Sequence, residues 1–215
     1  MSEIGCFGKV PAHGDFVWQG LPARFVTPWD NWLQQTLVDL KESRPEDWLD
    51  AYLHGPIWRF LLRDDALGPE TWSGIILPSV DIVGRYFPFT LAVSLPRYAP
   101  LVSTQRALDA WLTAAEEVAL EALSGSLSVE AVLDRVREEP LPEISERDEE
   151  TDAPATAIWG GECIAGTRWE DQLLDDLIGH SFHSPCHWSY LNAGDGSCHF
   201  TLTNGFAGFD RLFTA

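Results

Sequence analysis

The chain has 215 residues, 45% of them hydrophobic, with ten tryptophans and eleven phenylalanines. This length and composition exclude a disordered chain and predict one substantial core, or a main domain with a smaller appendix. Fourteen Lys and Arg against 33 Asp and Glu give a net charge of −19, which repels phosphate backbones and anionic lipid. We therefore expect neither nucleic-acid nor membrane binding, and a basic or neutral protein partner instead.

The N-terminal residues lack the basic and apolar regions of a signal peptide, and no stretch approaches the roughly 18 apolar residues of a membrane span. The four cysteines, Cys6, Cys163, Cys186 and Cys198, are too few for a disulfide scaffold in a chain of this size. Free thiols suit a reducing compartment, so we predict a cytoplasmic protein.

The first predicted element is a short strand over residues 4–7, followed by a loop over residues 8–17 that contains Gly and Pro. Next comes an amphipathic helix predicted over residues 28–42. Thr27 supplies a capping hydroxyl, Pro28 suits the first helical position, and apolar residues then recur at helical spacing. The tryptophans of this helix are candidates for the core.

A short second helix is predicted from residue 45 to Gly55, where Gly-Pro ends it. Three strands follow one another at residues 57–62, 72–77 and 89–95. Their connections are short, and short connections favour antiparallel neighbours. This part of the chain therefore predicts a β-meander.

Two more helices are predicted, over residues 104–124 and 128–138, because both segments carry an apolar stripe at helical spacing. The stripe of the first comprises Leu108, Trp111, Leu112, Ala115, Ala119 and Ala122. Residues 139–154 are acidic and contain prolines, with little apolar surface to pack, so they predict a mobile linker.

The C-terminal part predicts a strand at residues 155–159, a helix at 170–180, and a hairpin with strands at 186–191 and 198–203. The whole order predicts an α+β fold, in which helices cover a largely antiparallel sheet and a β-α-β-β unit extends it.

We divide the chain into a main α+β domain over residues 1–138, the linker over 139–154, and a C-terminal segment over 155–215 that packs on the same core.

Two opposite charges, Asp81 and Arg85, lie between the second and third strands of the meander, in otherwise apolar surroundings. Charges in such a setting are unfavourable unless they are paired or exposed for use. Asp81 and Arg85 form either an internal ion pair that fixes the connection between the strands or an exposed polar site at the edge of the sheet that contacts another molecule. With Lys9, His13 and Asp15 in the first loop, they make up a candidate polar cluster, whose role is partner binding or structure.

Histidines and cysteines crowd the C-terminal part and raise the question of a metal site; they are His180, His183, Cys186, His187, Cys198 and His199. In the predicted hairpin, the numbers of opposed residues sum to about 388–390. Cys186 and Cys198 are then separated by roughly 13–17 Å, too far to share a zinc ion. We expect no metal site.

Two enzymatic or ligand-binding alternatives remain open. His13 with Asp15 or Asp81 could serve as the acid–base site of a small hydrolase, although no Gly-x-Ser-x-Gly or zinc-protease motif accompanies them. Gly8-Lys9 resembles half of a phosphate loop, which gives a nucleotide or small-molecule sensor as a further hypothesis. It lacks the spacing and the hydroxyl residue of that motif.

Two segments resemble the signatures of the TagF family, accessory proteins of the bacterial type VI secretion system. They are residues 8–16 (GKVPAHGDF) and residues 78–88 (PSVDIVGRYFP). The resemblance is strongest over residues 4–95 and extends more loosely to about residue 135. Two positions depart from the family pattern: Ile82 stands where a basic residue is more usual, and Ser189 follows Trp188 where a second Trp often occurs.

The resemblance implies a non-enzymatic cytoplasmic regulator that restrains type VI secretion after translation. It would do so by binding and sequestering the forkhead-associated (FHA) scaffold protein of the system. The family has no accepted catalytic residues to carry over, and we expect no cofactor. The two signature segments are therefore candidates for structure and for partner contact.

Overall fold

In the described part of the chain, seven strands form one sheet, which helices cover. The computed structural model describes residues 2–63, 66–97, 99–144, 168–182, 184–192, 194–206, 209 and 212–213. The strands are β1 (Ile4–Gly8), β2 (Val17–Gln19), β3 (Trp58–Leu62), β4 (Thr71–Leu77), β5 (Phe89–Leu95), β6 (Pro185–Leu191) and β7 (Cys198–Asn204). They lie in the order β2-β1-β5-β4-β3-β6-β7, and all neighbours are antiparallel. The predicted α+β fold with an antiparallel sheet is confirmed.

Helices cover both faces of the sheet. They are α1 (Ala23–Ser43), α2 (Trp48–Leu53), α3 (Leu101–Ala107), α4 (Asp109–Leu123), α5 (Val129–Glu138) and α6 (Trp169–Ser181). Successive side chains of β4 point to opposite faces of the sheet and so belong to two different cores. Trp72 and Ile76 join a first core with α1 and α2. Ile75 and Leu77 join a second core with α3, α4 and α5. A strand buried on both faces explains the continuous apolar runs in the sequence.

Helix α1 begins at Ala23, so the start predicted at residue 28 is wrong. Pro28 lies inside the helix, where it has no N–H to donate to the preceding turn. The extra turn buries Phe25 and Val26, which are 0% and 4% exposed and extend the apolar stripe that continues at Trp29. Burial of this turn in the first core outweighs the local preference of proline for a helix start.

The helix predicted over residues 104–124 is two helices, α3 and α4, which meet at Leu108. The predicted apolar stripe is nevertheless correct, since all six of its members are buried in the second core. Strand β2 was not predicted; its three residues pair with β1 at the end of the segment expected to be a loop. A strand of three residues is too short for a period-two pattern to show.

The C-terminal hairpin has the predicted register, because Leu191 pairs with Cys198 and Cys186 with Thr203. Strand β6 also pairs with β3, which places the hairpin in the main sheet. Two residues of the predicted linker, Leu141 and Ile144, pack against the second core. The strand predicted at 155–159 and linker residues 145–154 lie outside the described residues, and the mobility of the linker stays a prediction.

His187, on β6, gives the fold a dependence on pH. Its ring is partly buried, its Nδ1 has no hydrogen-bond partner among the described residues, and burial lowers its pKa from 6.5 to about 4. Between these values the unfolded chain binds the proton and the folded chain does not, so stability falls as pH falls from 6.5 towards 4. We expect His187→Leu to remove roughly 2 kcal/mol of this fall, measured by urea unfolding at pH 7 and pH 4.5. A pH dependence that His187→Leu leaves unchanged would contradict this prediction.

Candidate interaction site

The pairing of β1 with β5 brings the two signature segments together. Gly8, the last residue of β1, lies opposite Phe89, the first residue of β5. Because the strands are antiparallel, the loop that leaves β1 and the connection that enters β5 emerge at the same end of the sheet. We call residues 9–16 and 78–88 the paired loops.

Gly8 makes this approach close. Its φ is +128°, in the region that favours glycine, and a Cβ atom built on it would lie 2.0 Å from the carbonyl oxygen of Pro88. No residue with a side chain fits between the two backbones at this point. The glycine that opens the first signature segment therefore fixes the position of the second.

Asp81 is the centre of the paired loops and accepts four hydrogen bonds. Its Oδ1 accepts from the backbone amides of Val83, at 3.0 Å, and Arg85, at 2.9 Å. Its Oδ2 accepts from Lys9 Nζ and from Arg85 Nε, both at 2.7 Å. Lys9 and Asp81 are 4% and 3% exposed, so this ion pair between the two segments is buried.

The electrostatics of the cluster favour the charged form of Asp81. Desolvation by burial alone would raise the pKa of its carboxyl group. The hydrogen bonds from Lys9 and from the amide and guanidinium of Arg85, with that of the Val83 amide, outweigh desolvation and hold the pKa well below its usual range. Asp81 is therefore an anion throughout the physiological pH range, matched by two cations.

Backbone hydrogen bonds attach the rest of the loops to each other. The Ile82 amide donates to the carbonyl oxygen of His13 at 3.2 Å, and the Arg85 guanidinium donates to that of Gly14. The connection also closes on itself, because the Asp81 amide donates to the Arg85 carbonyl oxygen at 3.1 Å. Hydrogen bonds thus hold both sides of the tip, Ile82 to Gly84.

Aromatic rings support the first loop from the side of the first core. Phe16 lies edge-on to Phe87, with 4.8 Å between ring centroids, and stacks on Phe7 at 6.0 Å. The Lys9 ammonium lies 4.9 Å from the centroid of the Phe16 ring, within the range of a cation–π contact. Phe16 is nevertheless 47% exposed, so its outer side faces solvent.

Tyr52 of α2 fixes the base of the second loop. Its hydroxyl donates to the carbonyl oxygen of Ser79 at 2.7 Å and accepts from the amide of the same residue at 2.8 Å. Both groups are buried, so neither would have water as an alternative partner. The loop is anchored to the helical layer as well as to β1.

The structure brings together three of the five predicted cluster residues, Lys9, Asp81 and Arg85. The internal ion pair, one of the two alternatives, is present; the guanidinium-bearing side chain of Arg85 also remains 55% exposed. His13 takes part through its backbone, and the exposed carboxylate of Asp15 accepts from the adjacent Phe16 amide at 2.9 Å. Contact with a partner stays a prediction for the exposed members.

The geometry gives little support to the other chemistries considered. Among the described residues, the His13 ring makes no hydrogen bond to Asp15 or Asp81, and the Lys9 ammonium that a phosphate would need is paired with Asp81. Likewise, no group of three His, Cys, Asp or Glu side chains in the described part of the chain could hold a metal ion.

The most exposed apolar residues of the paired loops were not among the predicted site residues. Ile82 and Val83 are 68% and 66% exposed at the tip, and Ile82 Cγ2 would lie 3.4 Å from a Cβ atom at Gly14. We call these two residues, together with the exposed Phe16 and the Arg85 guanidinium of the paired loops, the tip surface. Its signal in the sequence was the pair of β-branched residues directly before a glycine in a turn.

The family model of the TagF N-terminal domain, described as type VI secretion system-associated, matches residues 5–138 and so includes both paired loops. The chain belongs to the TagF family. It is therefore an accessory protein of the type VI secretion system, as the signature segments indicated.

The chain is also similar to PA0076 from Pseudomonas aeruginosa PAO1, whose crystal structure was determined at 2.05 Å resolution. The TM-score is 0.80 at 32% sequence identity, covering 98% of this chain and 94% of PA0076. No curated protein matches the chain. Within the described residues of this TagF-family protein, no helix is both long and apolar enough to cross a bilayer.

Proposed function

We propose that this TagF-family protein restrains type VI secretion after translation, without catalysis, by binding and sequestering an FHA-domain scaffold protein in the cytoplasm. Binding would hold the scaffold away from the rest of the secretion machinery. The observation that carries the proposal is the tip surface, in which apolar side chains are exposed on loops whose conformation is already fixed.

Preorganisation makes the tip surface suitable for binding. Ordering a mobile loop on association weakens affinity, and the hydrogen bonds that already join the paired loops, among them the buried Lys9–Asp81 pair, reduce that penalty. The exposed side chains of Ile82, Val83 and Phe16 offer apolar area, and the Arg85 guanidinium can add directional hydrogen bonds. In this arrangement Lys9 and Asp81 support the surface and do not touch the partner.

The net charge of −19 sets the electrostatic character of the encounter. A basic patch on the scaffold would be attracted over about one Debye length, which accelerates association and makes it sensitive to salt. We therefore expect the affinity for the scaffold to fall as ionic strength rises.

The test compares a tip variant with a matched control. Ile82→Asp combined with Val83→Asp is expected to weaken binding of the purified FHA protein by about 100-fold, because it removes two apolar contacts and places charges at the interface. Leu53→Asp combined with Leu120→Asp makes the same charge change at exposed positions of α2 and α4. That control should bind within about threefold of the wild type.

Affinities are measured by titration calorimetry at low and high salt, with melting temperatures recorded for every variant. All four positions are exposed, so folding should be unaffected. Equal affinities of the two double variants for the FHA protein would show that the tip surface is not the binding site. Absence of binding by the wild-type chain to the purified scaffold would refute the proposed partner.

A further inference from the structure

Among the described residues, no strand pairs with the outer edge of β7. β7 is the last strand in the sheet order, and it is regular, with all seven residues paired to β6 in one register. The opposite edge is β2, which has three residues. Natural sheets protect their edges with short strands, charged residues, prolines or bulges. β2 is protected by its length, whereas β7 contains no Lys, Arg, Asp, Glu or Pro and no bulge.

The register shows which backbone groups face outwards. Two hydrogen bonds of 2.8 Å, from the Asn192 amide to Ser197 O and from the Gly205 amide to Ser184 O, mark the hydrogen-bonded pairs at the two ends of the hairpin. Such pairs alternate along an antiparallel ladder, so residues 199, 201 and 203 bond inwards to β6. The amides and carbonyls of residues 198, 200 and 202 therefore point away from β6.

The side chains of these outward-bonding residues are apolar and lie on one face. Phe200 is 70% exposed, and on the same face Leu191 of β6, opposite Cys198, is 58% exposed. A strand added at this edge would find backbone partners and an aromatic side chain at the same positions. Strand addition is a common mode of protein association for this reason.

We propose that the occupant of this edge is β7 of a second copy of the chain. Two copies related by a twofold axis through Phe200 pair Phe200 with Phe200, and Cys198 with Leu202, so that outward-bonding residues face each other throughout. Self-complementarity of this kind is what an isologous dimer requires. Although the net charge of the chain is −19, β7 contains no Asp, Glu, Lys or Arg, so pairing two copies of β7 places no like charges of these residues opposite each other.

The dimer is weak and depends on salt in the opposite sense to scaffold binding. One strand pair with its side chains buries an area at the low end for specific interfaces, so we expect a dissociation constant on the order of 10 µM. Repulsion between two strongly negative copies opposes association, and salt screens that repulsion. Dimerisation should therefore strengthen as ionic strength rises. A basic scaffold would instead bind more weakly, so the two proposals can fail separately.

Sedimentation equilibrium of the full chain, from about 1 to 300 µM, tests the proposal. Phe200→Lys puts like charges opposite each other on the axis and should weaken dimerisation at least about tenfold, whereas Leu120→Lys on α4 should not. A monomer over the whole range, or a dimer that Phe200→Lys leaves intact, would overturn the proposal. Loss of the dimer in the control variant Leu120→Lys would also overturn it.

Disulfide formation tests the register. In a Cys163→Ser, Cys198→Ser background, Phe200→Cys places two cysteines in a hydrogen-bonded pair, with Cα atoms about 5.5 Å apart, which suits a disulfide. Thr201→Cys, one residue further on, leaves its two copies roughly 8 Å apart and should not cross-link. Mild oxidation should yield a covalent dimer of the first variant only. Cross-linking at residue 201 in place of 200 would refute this dimer.

Discussion

Replacing Asp81 by asparagine is expected to lower the melting temperature of the chain by about 10 °C, because the buried ammonium of Lys9 loses its counter-charge. Asparagine has nearly the shape of aspartate and can still accept hydrogen bonds from the amides of Val83 and Arg85. The loss therefore measures the charge and the Oδ2 hydrogen bonds of the carboxylate, since the asparagine NH2 group would face the donors of Lys9 and Arg85, and not the packing of the loop. Thermal unfolding followed by circular dichroism measures it directly.

Asp15→Asn is the matched control, since it makes the same chemical change in the facing loop at an exposed carboxylate. We expect it to change the melting temperature by no more than about 2 °C. Lys9→Met added to Asp81→Asn should restore part of the loss, because the unpaired cation is then gone. Similar effects of Asp81→Asn and Asp15→Asn would show that the ion pair does not stabilise the paired loops.

The same variant has a defined dependence on pH. The pKa of Asp81 is lower in the folded chain than in the unfolded chain, where it is about 3.9. Its contribution to stability is thus complete above the unfolded pKa and is lost as pH falls below it towards the folded pKa. The difference in stability between the wild type and Asp81→Asn should therefore decrease progressively as pH falls below about 4.

Local patterns were sufficient to predict most of the fold. The strand at residues 89–95 and the helix at 128–138 were predicted almost to the residue, because each has a clear apolar pattern bounded by turn or capping residues. The start of α1 was predicted wrongly because the energy that places Phe25 in a helix comes from the sheet beneath it. No local rule includes that contribution, and proline at residue 28 indicated the opposite.

The candidate site was predictable only in part. Asp81 and Arg85 are four residues apart, so their pairing was within reach of sequence reasoning. Lys9 was included in the cluster, but its bond to Asp81 spans 72 residues and depends on the pairing of β1 with β5. The exposure of Ile82 and Val83 was not predicted, because an apolar pair next to buried strands has the same sequence pattern at a turn as in the core. Only the fold shows that they lie outside it.

Gly8→Ala is expected to be among the most destabilising single-methyl additions in the chain, by roughly 4 kcal/mol. Two effects add at this residue: a φ of +128° that an alanine rarely adopts, and a Cβ atom 2.0 Å from Pro88 O. The neighbouring Phe89 Cα would lie 2.9 Å away, so the strand pair itself must separate. Urea unfolding of both proteins gives the difference in free energy.

Gly84→Ala separates these two effects. Gly84 also has a positive φ, +87°, but a Cβ atom there would meet nothing within 4 Å. Gly84→Ala should therefore lower the free energy of unfolding only by the backbone conformational contribution, roughly 1–2 kcal/mol. The excess loss in Gly8→Ala then measures the close approach of β1 to Pro88, which sets the position of one paired loop against the other. Equal losses in the two variants would mean that the backbones separate there at no energetic penalty, and the alignment of the tip surface would then depend on the Lys9–Asp81 pair.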